Sequence, residues 1–207
     1  AINQPIKKLQ ESYVRIQETV VAAQRVFQVL DDQTEILQSE KNRPFPAQWQ
    51  KITYKNISFR YGTDWILKNI NLEIKRGQSL AFVGESGSGK STLVNLLGRF
   101  YDPTEGEILI DDIPLRDINL KDLRSHVALV SQDVFLFSDT IENNIWSGDF
   151  NKDKVHVRNV AQSANAHEFI QRLPEKYQSR VGDRGNLLSG GEKQRISLAR
   201  AFFKDAP

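Results

Sequence analysis

The sequence contains no cysteine and no methionine among its 207 residues. Without cysteine the chain can form neither a disulfide framework nor a Cys-ligated zinc site, and thiol catalysis is excluded. It also has no apolar run close to the roughly 18–20 residues that a membrane-spanning helix requires. These absences indicate a domain that is held together by its core, for which 39% hydrophobic residues are sufficient.

An excess of charge of one sign is also lacking. The chain carries 28 Lys and Arg against 26 Asp and Glu, which gives a net charge of +2. Basic and acidic residues are interleaved, as in Arg116-Asp117 and Lys121-Asp122. A polyanion is attracted by a concentrated basic field, which this distribution does not provide. We therefore expect no nucleic-acid binding.

The first thirty residues carry a regular apolar seam. Apolar side chains recur at alternating steps of four and three: Ile2, Ile6, Leu9, Tyr13, Ile16, Val20, Ala23, Phe27 and Leu30. This pattern predicts an amphipathic helix from Gln4 to Leu30 that ends near Asp31-Asp32. The seam packs either on the surface of its own domain or on helices outside this chain, and its regularity favours the second interpretation.

Composition divides the rest of the chain. Residues 38–48 hold two prolines and many polar side chains, which predicts a linker between residues 1–37 and a domain at 49–207. In that domain, periodicity predicts strands near 52–59, 70–74, 79–83, 107–111 and 127–130, and helices at 90–100, 120–125, 152–171 and 190–203. Strands that alternate with helices are typical of an α/β fold with a largely parallel sheet.

A glycine-rich loop follows the predicted strand at 79–83. It reads Gly84-Glu85-Ser86-Gly87-Ser88-Gly89-Lys90-Ser91 and matches the pattern G-x-x-x-x-G-K-[ST]. Glycines let successive backbone N–H groups turn toward phosphate oxygens, and a helix that begins near Lys90 directs its positive end at the same anion. Lys90 supplies a charge for the β- and γ-phosphates, and the Ser91 hydroxyl suits Mg²⁺. The loop predicts a Mg²⁺–nucleotide site, and the alternative is an ordinary Gly/Ser-rich connection.

A second motif lies about a hundred residues further on. The segment Leu188-Ser189-Gly190-Gly191-Glu192 resembles the LSGGQ signature of ATP-binding cassette (ABC) ATPases, with Glu192 in place of Gln. Two glycines at the start of a helix expose backbone N–H groups, and Ser189 adds a hydroxyl donor, so the segment suits an anion. By itself such a sequence is also an ordinary loop and helix cap.

Three further segments resemble the same family in the family's order. Tyr61 stands where the family has an aromatic residue that stacks on adenine, and otherwise it is a core residue. Gln132 follows the apolar run 127–130 and matches the Q-loop glutamine that reaches toward Mg²⁺ and the attacking water; otherwise it is a surface glutamine. Residues 181–185 resemble the exporter loop that faces a transmembrane partner, although Asp183 stands where Glu is more usual.

The resemblance covers essentially the whole chain. It implies a P-loop NTPase of the ABC type, with a RecA-like parallel sheet, a small antiparallel β subdomain and a helical subdomain, and it implies ATP and Mg²⁺ as cofactors. Lys90 and Gln132 would act in catalysis, and Ser91 and Gln132 would hold the metal. The implied nucleotide contacts are Tyr61, Gly84, Glu85, Ser86, Gly87, Ser88, Gly89, Lys90, Ser91 and Thr92, with Ser189, Gly190, Gly191 and Glu192 serving the ATP of a partner.

The resemblance also implies partners. The amino-terminal helix is similar to the cytoplasmic end of the last membrane helix in exporters whose membrane and ATPase halves share one polypeptide, and it most resembles lipid-flippase-like bacterial exporters. The implied partners are a second nucleotide-binding domain, in a homodimer, and a transmembrane domain on the same polypeptide. The implied role is ATP-driven export or flipping of a lipid-like substrate at the cytoplasmic face of the inner membrane.

Some of the family's motifs are not among the 207 residues. The sequence has no Walker B carboxylates, and none of His126, His156 and His167 stands where the family's switch histidine belongs. A general base typically contributes roughly 10²–10⁴-fold, so we expect these residues alone to hydrolyse ATP poorly. With the missing initiator methionine, this indicates an interior fragment of a longer exporter, incomplete at its carboxyl end. The alternative function is a non-hydrolysing nucleotide-binding or regulatory module whose amino-terminal helix pairs with a partner.

Overall fold

The structure is a computed structural model that describes residues 3–31, 36, 39–146 and 153–207. The chain divides into two compact units, Ala1–Leu37 and Gln38–Pro207. Among the described residues, no helix is both long enough and apolar enough to cross a membrane.

The first unit contains helix α1, Asn3–Leu30, where the apolar seam predicts a helix. The N–H group of Asp31 donates to the carbonyl oxygen of Phe27 and extends the last turn, while Ile2 and Asp32 lie outside the described residues. The described apolar side chains of the seam are exposed. The helix is therefore confirmed, and the partner of its seam stays a prediction.

Four strands of the second unit form one sheet in the order β2-β1-β3-β4, with every pair antiparallel. The strands are β1 Lys51–Tyr61, β2 Asp64–Lys75, β3 Glu105–Ile110 and β4 Ile113–Pro114. Strands β1 and β2 form a hairpin in which Tyr61 pairs with Asp64. Gly62 in the connecting turn has a φ of +67°, a conformation that glycine adopts without a steric penalty.

In the described part of the second unit, six α-helices accompany this sheet: α2 Lys90–Leu97, α3 Leu120–Ser125, α4 Ile141–Trp146, α5 Lys154–Ser163, α6 His167–Arg172 and α7 Gly190–Phe203. The helices predicted at 90–100, 120–125 and 190–203 are confirmed to within a few residues. The helical stretch predicted at 152–171 is present over its described residues as two helices, because α5 ends at Ser163 and Asn165 takes a φ of +53° before α6 begins. Residue 152 itself lies outside the described residues.

Two hydrophobic cores fix the helices on which the motifs lie. Leu93 and Leu96 of α2 are buried with β-strand residues such as Tyr54. Ile196 of α7 is buried with residues of α4, α5 and α6, such as Ile145. Burying one such aliphatic side chain stabilises the fold by roughly 1.5–3 kcal/mol. The loop before α2 and the segment before α7 therefore each lead into a helix that is anchored in a core.

The strands predicted at 79–83 and 127–130 are absent from the described structure. Both segments are irregular, and Val83 is 94% exposed. A strand needs a neighbour for its backbone hydrogen bonds, and the described ladders are all antiparallel pairs of β1 to β4. The prediction of a largely parallel sheet is thus not met among the described residues, whereas an antiparallel sheet and a helical region are both present.

The segment that composition predicts as a linker is anchored on the second unit over its described residues, 39–48. The Lys41 ammonium forms an ion pair of 2.9 Å with the nearly buried carboxylate of Asp117. The ring of Phe45 stacks on His126 with centroids 4.2 Å apart, and its N–H group donates to Asp122. These contacts hold a proline-rich segment in place without regular secondary structure.

Candidate functional site

The loop that matches the nucleotide pattern is organised around the Lys90 side chain. Its ammonium donates to the carbonyl oxygens of Gly84 and Glu85, at 2.9 and 2.6 Å, and to the hydroxyl of Ser88 at 3.2 Å. The lysine therefore lies across the opening of the loop that begins at Gly84. A phosphate oxygen is an acceptor of the same kind as these oxygens, so the ammonium is placed to bind a polyphosphate that enters this loop.

Two glycines of the loop have conformations that other residues rarely adopt. Gly87 and Gly89 have φ values of +82° and +87°. A Cβ on Gly89 would lie 2.7 Å from Leu67 Cδ2 and 3.3 Å from the carbonyl oxygen of Ile66, whereas one on Gly87 would meet open space. Gly87 is thus required for its backbone angle alone, and Gly89 also for the close approach of the β1–β2 hairpin.

Helix α2 begins directly after this loop, with Gly89 as its N-cap residue. The first N–H groups of a helix have no partner within the helix, so those of Lys90, Ser91 and Thr92 are available to an anion. The Ser91 side chain is exposed, while Thr92 is buried at 8% exposure. The donors, the lysine and the open space beside Gly87 fit a nucleotide polyphosphate, and the exposed Ser91 hydroxyl fits an accompanying Mg²⁺ ion.

Tyr61 ends strand β1 at the tip of the hairpin whose residues contact Gly89. The residue is 45% exposed, and its ring packs edge-on against Phe59 and Tyr101 with centroid distances of 4.7 and 5.1 Å. The exposure does not support the alternative that Tyr61 is a core residue. A ring that is held at its edges and remains half-exposed is suited to stacking on a base.

Gln132 is exposed in a bend that Ser131 stabilises by donating to the carbonyl oxygen of Asp133 at 2.7 Å. A cavity of about 330 Å³ lies beside this bend and is lined by Ser131 and by Gly191 and Gln194 of α7. The structure therefore places the glutamine segment beside the start of α7. Within the described chain, no hydrogen bond joins Gln132 to the loop around Lys90.

The signature-like segment forms a reciprocal cap on helix α7. The Ser189 hydroxyl accepts a bond of 3.4 Å from the Glu192 N–H group. The Glu192 carboxylate accepts from both the Ser189 hydroxyl and the Ser189 N–H group, at 2.7 and 2.8 Å. The hydroxyl bond, followed by the backbone bond, lowers the pKa of Glu192, while partial burial opposes the shift. Glu192 is thus an ionised capping residue, which the spacing S-x-x-E could have indicated.

The loop at 181–185 precedes this cap and turns sharply. Val181 is fully buried and Gly182 has a φ of +76°. Asp183 is exposed and accepts a bond of 3.4 Å from the Ser138 hydroxyl. The loop therefore lies next to the segment that follows Gln132.

Sequence reasoning missed Arg200, which joins α7 to the same segment. Its guanidinium donates to the carbonyl oxygens of Asn144 and Phe135, at 2.8 and 3.1 Å, and to the Asn144 side chain at 3.1 Å. Phe135 lies three residues after Gln132, so the helix that starts at the signature positions the glutamine segment. An arginine in the last turn of a helix is a weak signal, because surface helices often end in a basic residue.

The three histidines have packing roles. His126 stacks on Phe45, the ring of His156 lies 4.8 Å from that of Phe203, and His167 shares a hydrogen bond of 2.7 Å with the Tyr177 hydroxyl. In the described part of the chain, no group of three His, Cys, Asp or Glu side chains could hold a metal ion.

Comparisons with known proteins identify the family of the chain. The sequence profile of the ABC transporter family matches residues 67–207. The chain is 46% identical over 204 residues to the ATP-dependent lipid A-core flippase of Syntrophus aciditrophicus (strain SB), and this match covers 99% of the chain and 34% of the relative. It is 45% identical over 206 residues to the protein of the same name from Chromohalobacter salexigens, with 98% and 35% covered.

A solved structure is also similar. It is described as a bacterial Atm1-family ABC exporter with ATP bound, and it matches with a TM-score of 0.86 at 36% identity. The match covers 99% of this chain and 36% of that chain, so the present chain spans about a third of the length of these relatives. The predicted ABC-type α/β fold is confirmed, and the chain belongs to the ABC transporter family.

Proposed function

We propose that the chain is the nucleotide-binding part of an ABC exporter and that it binds ATP with Mg²⁺ at residues 84–92. The observation that carries the proposal is the position of the Lys90 ammonium, within 3.2 Å of three oxygen atoms of its own loop. Polyphosphate oxygens would replace these acceptors and would add the N–H donors of the first turn of α2. Tyr61 would stack on the base.

We assign the metal to the Ser91 hydroxyl and the Gln132 side chain. When bound, Mg²⁺ neutralises the charge that develops on the phosphates. Lys90 would hold the same oxygens as a fixed charge, and Gln132 would orient water. The 207 residues by themselves are expected to bind ATP and to hydrolyse it slowly, since the Walker B carboxylates of the family are not among them.

The partner of this half-site is a second nucleotide-binding domain, most simply an identical one, whose ATP would be held by Ser189–Glu192. We further propose a transmembrane domain on the same polypeptide, because the chain spans about a third of its relatives' length. In this arrangement residues 1–37 extend the last membrane helix, residues 38–48 link it to the ATPase part at 49–207, and the site lies at the cytoplasmic face of the inner membrane.

The proposed substrate is a lipid-like molecule, which hydrolysis would export or flip. This assignment is supported by the names of the relatives, which are lipid A-core flippases. The apolar seam of α1, whose described side chains are exposed, suits a helix that packs among other helices.

ATP hydrolysis by the full-length protein in liposomes tests this function. We expect Mg²⁺-dependent hydrolysis that is stimulated by lipid and abolished by Lys90→Ala. The control is Lys121→Ala, which removes an exposed lysine of α3 and should leave the rate unchanged. ATP binding without hydrolysis in the full-length protein would instead support the non-hydrolysing regulatory module.

A further inference from the structure

The Glu192 carboxylate occupies two donors of the signature segment, both of which belong to Ser189. One of its oxygens, Oε2, accepts from the Ser189 hydroxyl at 2.7 Å and from the Ser189 N–H group at 2.8 Å. The Ser189 hydroxyl has a single proton, and that proton is directed at Glu192. An incoming phosphate oxygen therefore meets a serine whose donor is already used by an internal anion.

The chemistry of the side chain makes this competition strong. An ionised carboxylate only accepts hydrogen bonds, and a bond to a charged acceptor is roughly twice as strong as a neutral one. A glutamine at the same position could accept the same two bonds with its carbonyl oxygen. It would also offer an NH₂ donor and would carry no charge. Glu192 thus differs from the family's glutamine in both charge and donor capacity, while its size is the same.

Hydrogen bonds from Ser189, more than neighbouring charges, keep Glu192 ionised. The bonds from Ser189 are the largest influence that lowers its pKa, and Arg195 adds a smaller attraction. The Arg195 guanidinium lies 5.1 Å from the centroid of the Phe169 ring, and one of its nitrogens is 3.6 Å from where a Cβ of Gly191 would be. The Lys193 ammonium donates to the carbonyl oxygen of residue 184 at 3.2 Å. Among the described residues, neither cation forms an ion pair with Glu192.

We propose that Glu192 weakens the binding of the signature segment to the terminal phosphate of ATP. As a result, the two nucleotide-binding domains close only at a higher ATP concentration. This inference rests on the proposed function, in which the segment serves the ATP of a partner. Glu192 acts as an internal competitor: closure must displace its carboxylate from Ser189 and must tolerate its charge beside the phosphate.

The test is Glu192→Gln in the full-length protein, with ATP-dependent approach of the two nucleotide-binding domains followed by the distance between two attached probes. We expect the variant to reach half-maximal closure at an ATP concentration about two- to fivefold lower than wild type, which is the upper part of the range for one charge near a surface. The matched control is Glu168→Gln, which removes the same charge from an exposed site on α6 and should change nothing.

Salt dependence separates the charge from any structural effect. At roughly 0.5 M ionic strength the Debye length is shorter than at physiological salt, so the difference between wild type and Glu192→Gln should shrink to less than half. Amide exchange in the first turn of α7 should accelerate by no more than about fivefold in Glu192→Gln, since the amide oxygen preserves the cap and only the attraction between the charge and the helix N-terminus is lost. The inference would be overturned if the difference in the ATP concentration for half-maximal closure did not depend on salt. It would also be overturned if wild type and Glu192→Gln required the same ATP concentration.

A wrong role for Glu192 can be distinguished from a wrong nucleotide site. If Lys90→Ala still binds ATP, the nucleotide site itself is wrongly assigned. If Lys90→Ala abolishes ATP binding and Glu192→Gln closes at the same ATP concentration as wild type, the site stands and only the role of Glu192 is wrong.

Discussion

Gly89 lies so close to Leu67 that a Cβ on the glycine would come within 2.7 Å of the leucine Cδ2 atom. The contact joins the last glycine of the phosphate loop to the β1–β2 hairpin, whose turn follows Tyr61. It explains how an antiparallel hairpin and a loop about twenty residues further along the chain form one surface. The loop geometry therefore depends on a packing contact as well as on its own backbone angles.

The substitution Gly89→Ala should damage the site more than its fold. Alanine would suffer both the left-handed backbone angle, which costs about 1–2 kcal/mol, and the contact with Leu67. We expect the affinity for Mg²⁺–ATP, measured by calorimetry on the full-length protein, to fall at least about tenfold. The control Gly77→Ala carries a similar φ of +77° with open space around the Cβ, and it should leave ATP affinity unchanged. Equal affinities in wild type and Gly89→Ala would contradict the steric argument.

Arg200→Lys should loosen the segment that follows Gln132. Lysine cannot reproduce the forked bonds to Asn144 and Phe135, and hydrogen bonds from a charged group are worth about 1.5–3 kcal/mol. Amide exchange at residue 137, whose N–H group donates to the Asn144 side chain, should accelerate roughly 10- to 150-fold. Arg172→Lys, at an exposed ion pair of 4.0 Å, is the control and should have almost no effect. Unchanged exchange in Arg200→Lys would exclude the positioning role.

Ser189→Ala should fray the start of helix α7. Loss of an N-cap side chain costs about 1 kcal/mol, so amide exchange at Glu192 is expected to accelerate roughly fivefold. The matched control is Ser163→Ala, because the Ser163 hydroxyl donates only to a carbonyl of its own helix. If the amide of Glu192 exchanges at the same rate in both variants, the reciprocal cap contributes nothing to the order of the signature segment.

The anchoring of the linker predicts a dependence on pH. The hydrogen bond from Lys41, aided by one from Ser39 and opposed by burial, lowers the pKa of Asp117 below its ordinary value of 3.8. A carboxyl group whose pKa is lowered on folding stabilises the folded protein at every pH above its pKa in the unfolded chain. This contribution is lost as the pH falls through its pKa in the folded protein. The Asp117→Asn variant should therefore have a lower melting temperature than wild type at pH 6. The difference between the two melting temperatures should diminish below pH 3.8. A melting difference that stays constant down to pH 2 would contradict this.

Short-range sequence patterns are sufficient to predict the helices that carry the motifs. The seam of α1, the helix after the phosphate loop and the helix after Ser189 follow from periodicity, glycine placement and capping. The segments 79–83 and 127–130 were predicted as strands from their apolar composition, but a strand exists only with a hydrogen-bonding neighbour, which composition does not specify. The bonds of Arg200 were not predictable for the same reason, since they join residues that are 56 and 65 positions apart.

The affinity of the full-length protein for Mg²⁺–ATP is the most direct test that residues 84–92 form a nucleotide site. We predict that Lys90→Ala weakens binding at least about 100-fold, because no other side chain in the loop supplies a positive charge to the phosphates. Lys121→Ala should bind ATP as wild type does. Binding by Lys90→Ala that remains within about threefold of wild type would contradict the assignment.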